Sequence, residues 1–447
     1  MIGTVRRNTE LGLLVLGTMF VVGAFVLTTL PEDSPIPTTV GPFLGVIVGA
    51  PLVAHVAVRR LAPQADGMLL PLASLLNGLG YVFIVRIDEA RSNPDGLAGL
   101  QSIWMILGVA AFIGTLIVVR DARVLERYRY TAGLVGIALL LLPLVPVLGN
   151  TINGSKIWVS IGAVNFQPGE FAKLALALFF AGYLWEKREL LAINRAYGPL
   201  SLPDPKHLGP VLLAWGASLV VMVMERDLGS SLLFFTLFLV LIWVATERAS
   251  YLAVGSLLFA GGALFAFNTF SHVQERVDLW GGVRDLVGPP ADALTQIDYA
   301  AFAMADGGVA GTGLGLGTPT SIPVVESDFI YAAITEELGL LGAAAVLVAF
   351  LLMIGAGLRI AQQAPHGFER LFATGLTALL GFQAFIIMAG VVRLLPLTGV
   401  TLPFISYGGS SLLANYVLLA LLLRISNDTA QRRSDRLAAQ QVTEIVS

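Results

Sequence analysis

What most constrains this chain is a succession of apolar runs, each about twenty residues long and nearly free of charge. As a helix, such a run matches the ~30 Å hydrocarbon core of a bilayer. Only elements that satisfy their own backbone hydrogen bonds can cross that core. The runs fall near residues 10–30, 41–58, 67–85, 101–119, 131–149, 170–186, 209–225, 229–246, 250–270, 329–357, 371–392 and 406–424. They predict an all-α polytopic membrane protein with about twelve transmembrane helices. Charge usage agrees, because 13% of residues are charged against about 25% in soluble domains. The first run, about Leu11 to Leu30, is long enough to span and no small-residue cleavage pattern follows it, so it reads as a helix and not a removable signal.

With the N-terminus placed inside, 19 of the 27 Lys and Arg fall on inner segments, as the positive-inside rule requires. An even number of spans then leaves both termini cytoplasmic. The longest non-spanning segment, 271–328, lies outside; it is loop-like at both ends, with a more apolar stretch at 297–305. No inner loop is long enough for a nucleotide-binding domain, which argues against ATP-driven chemistry. The polar tail after Arg424 is expected to fray. A net charge of −3 gives no footprint for nucleic acid, and the lack of cysteine removes disulfides, thiolate metal sites and cysteine nucleophiles.

Nearly every polar cluster sits on the outer side of this topology. They are "NGSKIW" from Asn153, "NFQPGEFAK" from Asn165, "ERDLGSS" from Glu225, the 271–328 loop, and "RLLPLTGVTLPFISYGGSS" from Arg393. A charge facing lipid costs roughly 3 kcal/mol or more, so five such segments on one face point to a shared cleft. Glu170 and Lys173 lie three apart on one helix face and can pair, just after Pro168 in a first-turn position. Either they neutralise each other, or Lys173 or Lys156 holds an anionic head group; the two readings are compatible. Arg226-Asp227 interrupts two apolar runs, as a short exposed turn or as a helical pair dipping into the outer face. "GVAGTGLGLG", Gly308 to Gly317, lacks the preceding strand of a dinucleotide fingerprint; its glycines read as tight turns over a substrate or partner. "GVTLPFISYGGSS" reads as a kinked, re-entrant entry to the last helix. The loop acids are Glu275, Asp278, Asp285, Asp292, Asp298, Asp306, Glu326 and Asp328, and spacing alone singles out none of them. The four histidines form no ligand set.

Four motifs then occur in order: "WVSIGAVNFQPGEFAK", "DLGSS", "SDFIYAAITEELG" and "GVTLPFISYGGSS". On these the chain closely resembles the shape, elongation, division and sporulation family, the FtsW/RodA/SpoVE group, over about residues 100–425. The resemblance implies a peptidoglycan glycosyltransferase that polymerises lipid II into β-1,4 glycan strands at the outer leaflet and releases undecaprenyl pyrophosphate. It implies a class B penicillin-binding protein as partner, within elongation or division machinery. The usual family core has ten spans, so two extra N-terminal helices are expected. This divides the chain into N-terminal helices at 1–98, a core at 99–425 and a polar tail at 426–447.

In such a reaction the acceptor hydroxyl must lose a proton as it attacks the anomeric carbon, a step a carboxylate can serve. In relatives the essential aspartate lies in a P-x-x-D pattern of the long outer loop. Here Pro289-Pro290-Ala291-Asp292 keeps that spacing, with Asp285 as the rival. The leaving pyrophosphate needs cations, from Lys156, Lys173, Arg226 and Arg276 or from a bound divalent ion such as Mg2+ or Mn2+; no metal ligands are legible. The resemblance carries over Trp158, Glu170, Asp328, Glu336, Glu337, Pro403, Ser406 and Tyr407 as further site positions. Glu336 and Glu337, inside a span, are expected to face a polar interior. Two departures from the family pattern touch fine geometry: Gly169 stands for a usual Ser, and Thr295 for a usual Tyr. A lipid II flippase and a non-catalytic activator of the penicillin-binding partner are the rival functions.

Overall fold

A computed structural model describes the chain outside residues 1, 30–39, 92–95, 147, 153–154, 162–163, 193, 198–199, 204–215, 217–223, 226, 282–293 and 447. The helices are α1 Ile2–Thr29, α2 Val40–Leu61, α3 Leu69–Glu89, α4 Leu97–Val118, α5 Arg129–Leu141, α6 Pro168–Ala192 and α7 Leu228–Thr246. They continue with α8 Ala249–Thr269, α9 Ser271–Gly281, α10 Gln296–Gly307, α11 Ile330–Gln363, α12 Gly367–Val391 and α13 Gly409–Val446. Among the described residues nine helices are long and apolar enough to cross a bilayer, α1 to α4, α7, α8 and α11 to α13. The protein is therefore a mostly helical, multi-pass membrane protein. The expected span at 209–225 falls almost wholly outside the described residues.

Two expectations need correction. The run at 131–149 does not stay helical: α5 stops at Leu141, a 3-10 turn takes Leu142–Leu144, and a strand begins at Gly149. Pro143 and Pro146 account for this, since proline lacks the N–H that a continuing helix needs. The chain instead builds a three-stranded antiparallel sheet, β1 Gly149–Ile152, β2 Ser155–Ile161 and β3 Val164–Phe166. In the segment 271–328, one helix, α9, occupies Ser271–Gly281 and α10 carries the apolar stretch, while the expected loop between them lies almost wholly outside the described residues. The tail does not fray after Arg424. No glycine or proline stops α13, and its polar residues are used: Asn427 Oδ1 accepts from Gln64 N at 3.0 Å and Asp428 Oδ2 from Ala122 N at 3.0 Å.

One end of the bundle is a basic face. Arg424 donates to the Leu61 and Leu116 carbonyls at 3.0 and 2.6 Å, and Arg432 joins Glu369 at 2.6 Å and Asp121 at 2.7 Å. Arg123 also reaches Glu369, and Arg359 reaches Asp66. The first helix is pinned to the same end: Arg7 and Glu10 pair, Arg7 bonds the Ala65 carbonyl, and His55 of α2 meets Glu10 at 2.7 Å. All three side chains are buried.

At the opposite end, α3 holds the segment before α13. Asn77 Nδ2 donates to Phe404 O at 2.8 Å, and Tyr416 Oη donates to Asn77 Oδ1 at 3.2 Å. Gly80 lets this segment approach, because a Cβ there would lie 2.3 Å from Ile405 O. That contact is with backbone and cannot swing aside. Gly80→Ala is expected to cost about 1–3 kcal/mol through overpacking, read as a lower unfolding midpoint of the detergent-purified protein.

Candidate functional site

Opposite the basic face, four separated stretches meet. Asp227 caps α7 by accepting from Ser230 N at 3.0 Å, the standard satisfaction of a helix's first free N–H groups. Gly229 in that first turn packs against Thr398 and Val400. From the other side α9 lies along the same 393–400 stretch: Arg276 Nη1 donates to Leu397 O at 3.2 Å and Trp280 Nε1 to Arg393 O at 3.0 Å. A Cβ on Gly399 would stand 3.8 Å from Asp328 Oδ2 and 4.0 Å from Arg276 Nη1. Asp328, Arg276 and the Gly399 turn are thus neighbours, with Asp227 close enough for its charge to act on Asp328.

Asp328 precedes α11 and is partly buried. Loss of solvent pushes its carboxyl up to about 6, against the hydrogen bond from Ser327 and the Arg276 charge; Glu326 and Asp227 add to the rise. The unfolded value is near ~3.9, so between the two values the folded chain holds a proton that the unfolded chain releases. The stabilisation from this group is therefore complete below about pH 4 and is lost as pH rises through about 6. Activity should run the other way, because only the ionised carboxylate holds Arg276 electrostatically. The pH–rate profile is expected to rise through about 6, and Asp328→Asn to erase that limb.

Lys156, on β2, donates from Nζ to Leu144 O at 3.4 Å, and its backbone N–H bonds Glu225 O at 3.1 Å. Trp158, partly buried, pairs in register with Asn150. The Glu225 carboxyl is buried, and Oε1 has no hydrogen-bond partner among the described residues. Burial, then repulsion from Asp227, pushes it up to about 8. Arg226, Asp285 and Asp292 lie outside the described residues; the segment holding the two aspartates joins α9 to α10.

Glu170 and Lys173 form a buried pair at 2.9 Å, and Lys173 Nζ also donates to Gln383 Oε1 at 3.0 Å. Gln383 Nε2 in turn donates to Thr401 O at 2.9 Å, Thr401 Oγ1 bonds Ser411 Oγ at 2.8 Å, and Gln167 N donates to Ser410 Oγ at 2.9 Å. The two motifs that flank the core in sequence, "QPGEFAK" and "GVTLPFISYGGSS", are therefore tied by one polar chain through α12. Ser406 is buried and bridges Leu402 N and Ser327 O, while Tyr407 N donates to Glu326 O at 2.8 Å. Both hold the Gly399–Gly408 stretch against the Asp328 turn.

Glu336 and Glu337 are buried against the glycine-rich loop. Glu336 Oε1 accepts from Thr318 N at 2.8 Å and Glu337 Oε2 from Gly315 N at 2.9 Å, with Arg86 3.7 Å from Glu337. They fix the glycine-rich loop on α11, and the polar surroundings they face are that loop's backbone amides and Arg86. Buried carboxylates satisfy backbone donors there. Gly311 (φ 86°) and Gly339 (φ 65°) make the contact possible, since a Cβ on either would lie within 2.4 Å of the other segment's backbone.

Two polar positions were not singled out from the sequence. Gln383 is the lone amide in the apolar stretch "ALLGFQAFIIMAG", and a solitary polar residue in a span was the available signal. Asp298 forms a capping box with Thr295 and pairs with Arg393. Burial pushes its carboxyl up, and the Thr295 hydrogen bonds with the Arg393 cation outweigh this and hold it below the usual range. The spacing T-x-x-D would have revealed it, and it explains Thr295 as a cap. A carboxylate so engaged is ill suited to take a proton. For cations, a trio of carboxylates within 4.8 Å, Asp121, Glu369 and Asp428, lies at the basic face and not here, its charge met by Arg432, Arg123 and Arg424.

Against this geometry, a family model described as "Cell cycle protein" (FtsW/RodA/SpoVE) matches residues 67–431. The chain belongs to the FtsW/RodA/SpoVE family. Helices α1 and α2 precede the matched segment. Among FtsW/RodA/SpoVE relatives, the chain is 43% identical over 431 residues to "Peptidoglycan glycosyltransferase RodA" of Mycobacterium tuberculosis, covering 94% of this chain and 91% of that one. It is 31% identical over 369 residues to "Probable peptidoglycan glycosyltransferase FtsW" of Geobacter sp., covering 81% and 96%. Among solved structures it matches a chain from "Structural coordination of polymerization and crosslinking by a peptidoglycan synthase complex" with TM-score 0.65 and 25% identity, over 82% of this chain and 98% of that one. Thermus thermophilus RodA matches with TM-score 0.56 and 26% identity, over 81% and 97%.

Proposed function

We propose that this chain is a peptidoglycan glycosyltransferase of the bacterial plasma membrane, joining lipid II units into β-1,4 glycan strands at the outer face and releasing undecaprenyl pyrophosphate. The observation that carries the reading is the meeting of Arg276, Asp328, the Gly399 turn and the Asp227-capped start of α7 at the end of the bundle opposite the arginine-rich face. By the positive-inside rule the arginine-rich face is cytoplasmic, which puts both termini inside and this cluster where lipid-linked sugars meet the wall. Arg276 serves the departing diphosphate there, alone or with a divalent cation, as electrostatic stabilisation of developing charge requires. Asp292 or Asp285, on the segment between α9 and α10, takes the acceptor's proton.

A class B penicillin-binding protein is the expected partner. Its transpeptidase would cross-link strands as they emerge. The test is polymerisation: purified protein with that partner, given labelled lipid II, should yield long glycan strands, and no strand growth with intact substrate and partner would refute the reading. A flippase would need unpaired polar groups leading to both faces. The inner-face acids described above are each met by an arginine, which favours the polymerase.

A further inference from the structure

The arginine-rich face contains a cleft of about 1270 Å³ between α1, the turn joining α2 to α3, the end of α11 and residues 426–437 of α13. It is remote from the candidate site, and none of the chemistry above uses it. Its charge is one-sided. Arg359, Arg433 and Arg436 line it, and Asp66 is the acid among the lining residues. Arg359 shares Asp66 and stays half exposed at 47%. Arg433 and Arg436 lie three apart on α13, so they share a side of the helix; both are exposed and have no ion-pair partner among the described residues. Arg432 beside them is different, since Glu369 and Asp121 occupy it. It anchors the helix and leaves its two neighbours free.

The second feature is apolar. Leu13 stands at the cleft's edge. Leu16 and Phe20, three and seven positions on along α1, continue the same stripe and are 65% and 59% exposed. Because α1 spans the bilayer, that stripe faces acyl chains. Two free guanidinium groups at the foot of a lipid-facing lane match a molecule with an anionic head and an apolar tail. A soluble anion has no use for the lane, and an acidic peptide has none either.

We propose that this cleft binds the phosphate headgroup of an anionic phospholipid of the inner leaflet, with an acyl chain lying along Leu13, Leu16 and Phe20. The headgroup supplies the negative charge that Arg433 and Arg436 lack, and guanidinium groups suit phosphate because they donate in a planar fork. The proposal depends on the inward orientation of the basic face but not on the polymerase chemistry, and its readout is lipid retention, so its failure would leave the functional reading untouched.

The test places full-length protein in phosphatidylcholine nanodiscs doped with phosphatidylglycerol and counts retained phosphatidylglycerol by native mass spectrometry. Each basic residue near an anionic surface is worth about fivefold, so the double substitution Arg433→Gln with Arg436→Gln should weaken retention roughly thirtyfold. Arg433→Lys with Arg436→Lys should keep most of it. Leu13→Glu leaves every arginine in place and sets a like charge at the cleft's lip; it should weaken retention as well. Unfolding midpoints in undoped discs separate binding from folding, and should match wild type for the two arginine double variants because those side chains are exposed at the basic face. Wild-type retention in both the Gln double variant and Leu13→Glu overturns the proposal. So does full competition by soluble glycerol phosphate, or by polyglutamate, in place of the lipid.

Discussion

Asp292→Ala is expected to lower the rate of lipid II polymerisation by about 10²–10⁴-fold, the usual worth of a positioned general base, while the protein still purifies and unfolds at the wild-type temperature. The reason is chemical. A sugar hydroxyl is a poor nucleophile until its proton has somewhere to go, and three of the described acids nearby are otherwise committed. Asp298 is held by Thr295 and Arg393, and Asp227 caps α7. Asp328 sits against Arg276 and the Gly399 turn. Asp285→Ala is the paired measurement. If it alone abolishes strand growth, the base is Asp285 and the function stands; if neither substitution matters, the chain is not the polymerase.

The second large effect concerns stability. Glu170→Ala should destabilise the fold by about 3–5 kcal/mol, because removing one partner of a buried pair strands the other charge. Lys173 is buried, and its remaining partner would be the neutral Gln383. The companion experiment replaces both members, Glu170→Gln with Lys173→Met. Apolar or neutral substitutes of similar volume are often tolerated where a broken pair is not, so the double variant should recover most of the lost unfolding temperature. Equal destabilisation in both would mean that the pair's charges are not what holds α6 to α12.

The spans were legible because a bilayer demands about twenty apolar residues in a row, and ten of the expected runs do lie on long described helices. Where the reading went wrong, proline was the cause at 142–146, and at the tail it was tertiary contact: Asn427 and Asp428 look like solvated residues until the Gln64 and Ala122 amides are seen against them. The pairing of Glu170 with Lys173 was visible from a spacing of three. Its continuation through Gln383 was not, since 210 residues separate them in sequence and only the packing of α6 on α12 brings them together. The partners of Glu336 and Glu337 were hidden for a related reason. Hydropathy marks a carboxylate in a span as costly without saying whether a cavity or a neighbouring loop's amides receive it.

Helix α13 carries a mechanical corollary. It is one unbroken rod of 38 residues, roughly 57 Å at 1.5 Å per residue, with Ser410 and Ser411 at its upper tip and Arg433 and Arg436 on its lower overhang. A rod without a joint cannot be nudged at one tip alone. Whatever grips the overhang is therefore holding the far end of the piece that positions Gln167, Thr401 and Gln383 at the opposite end of the bundle.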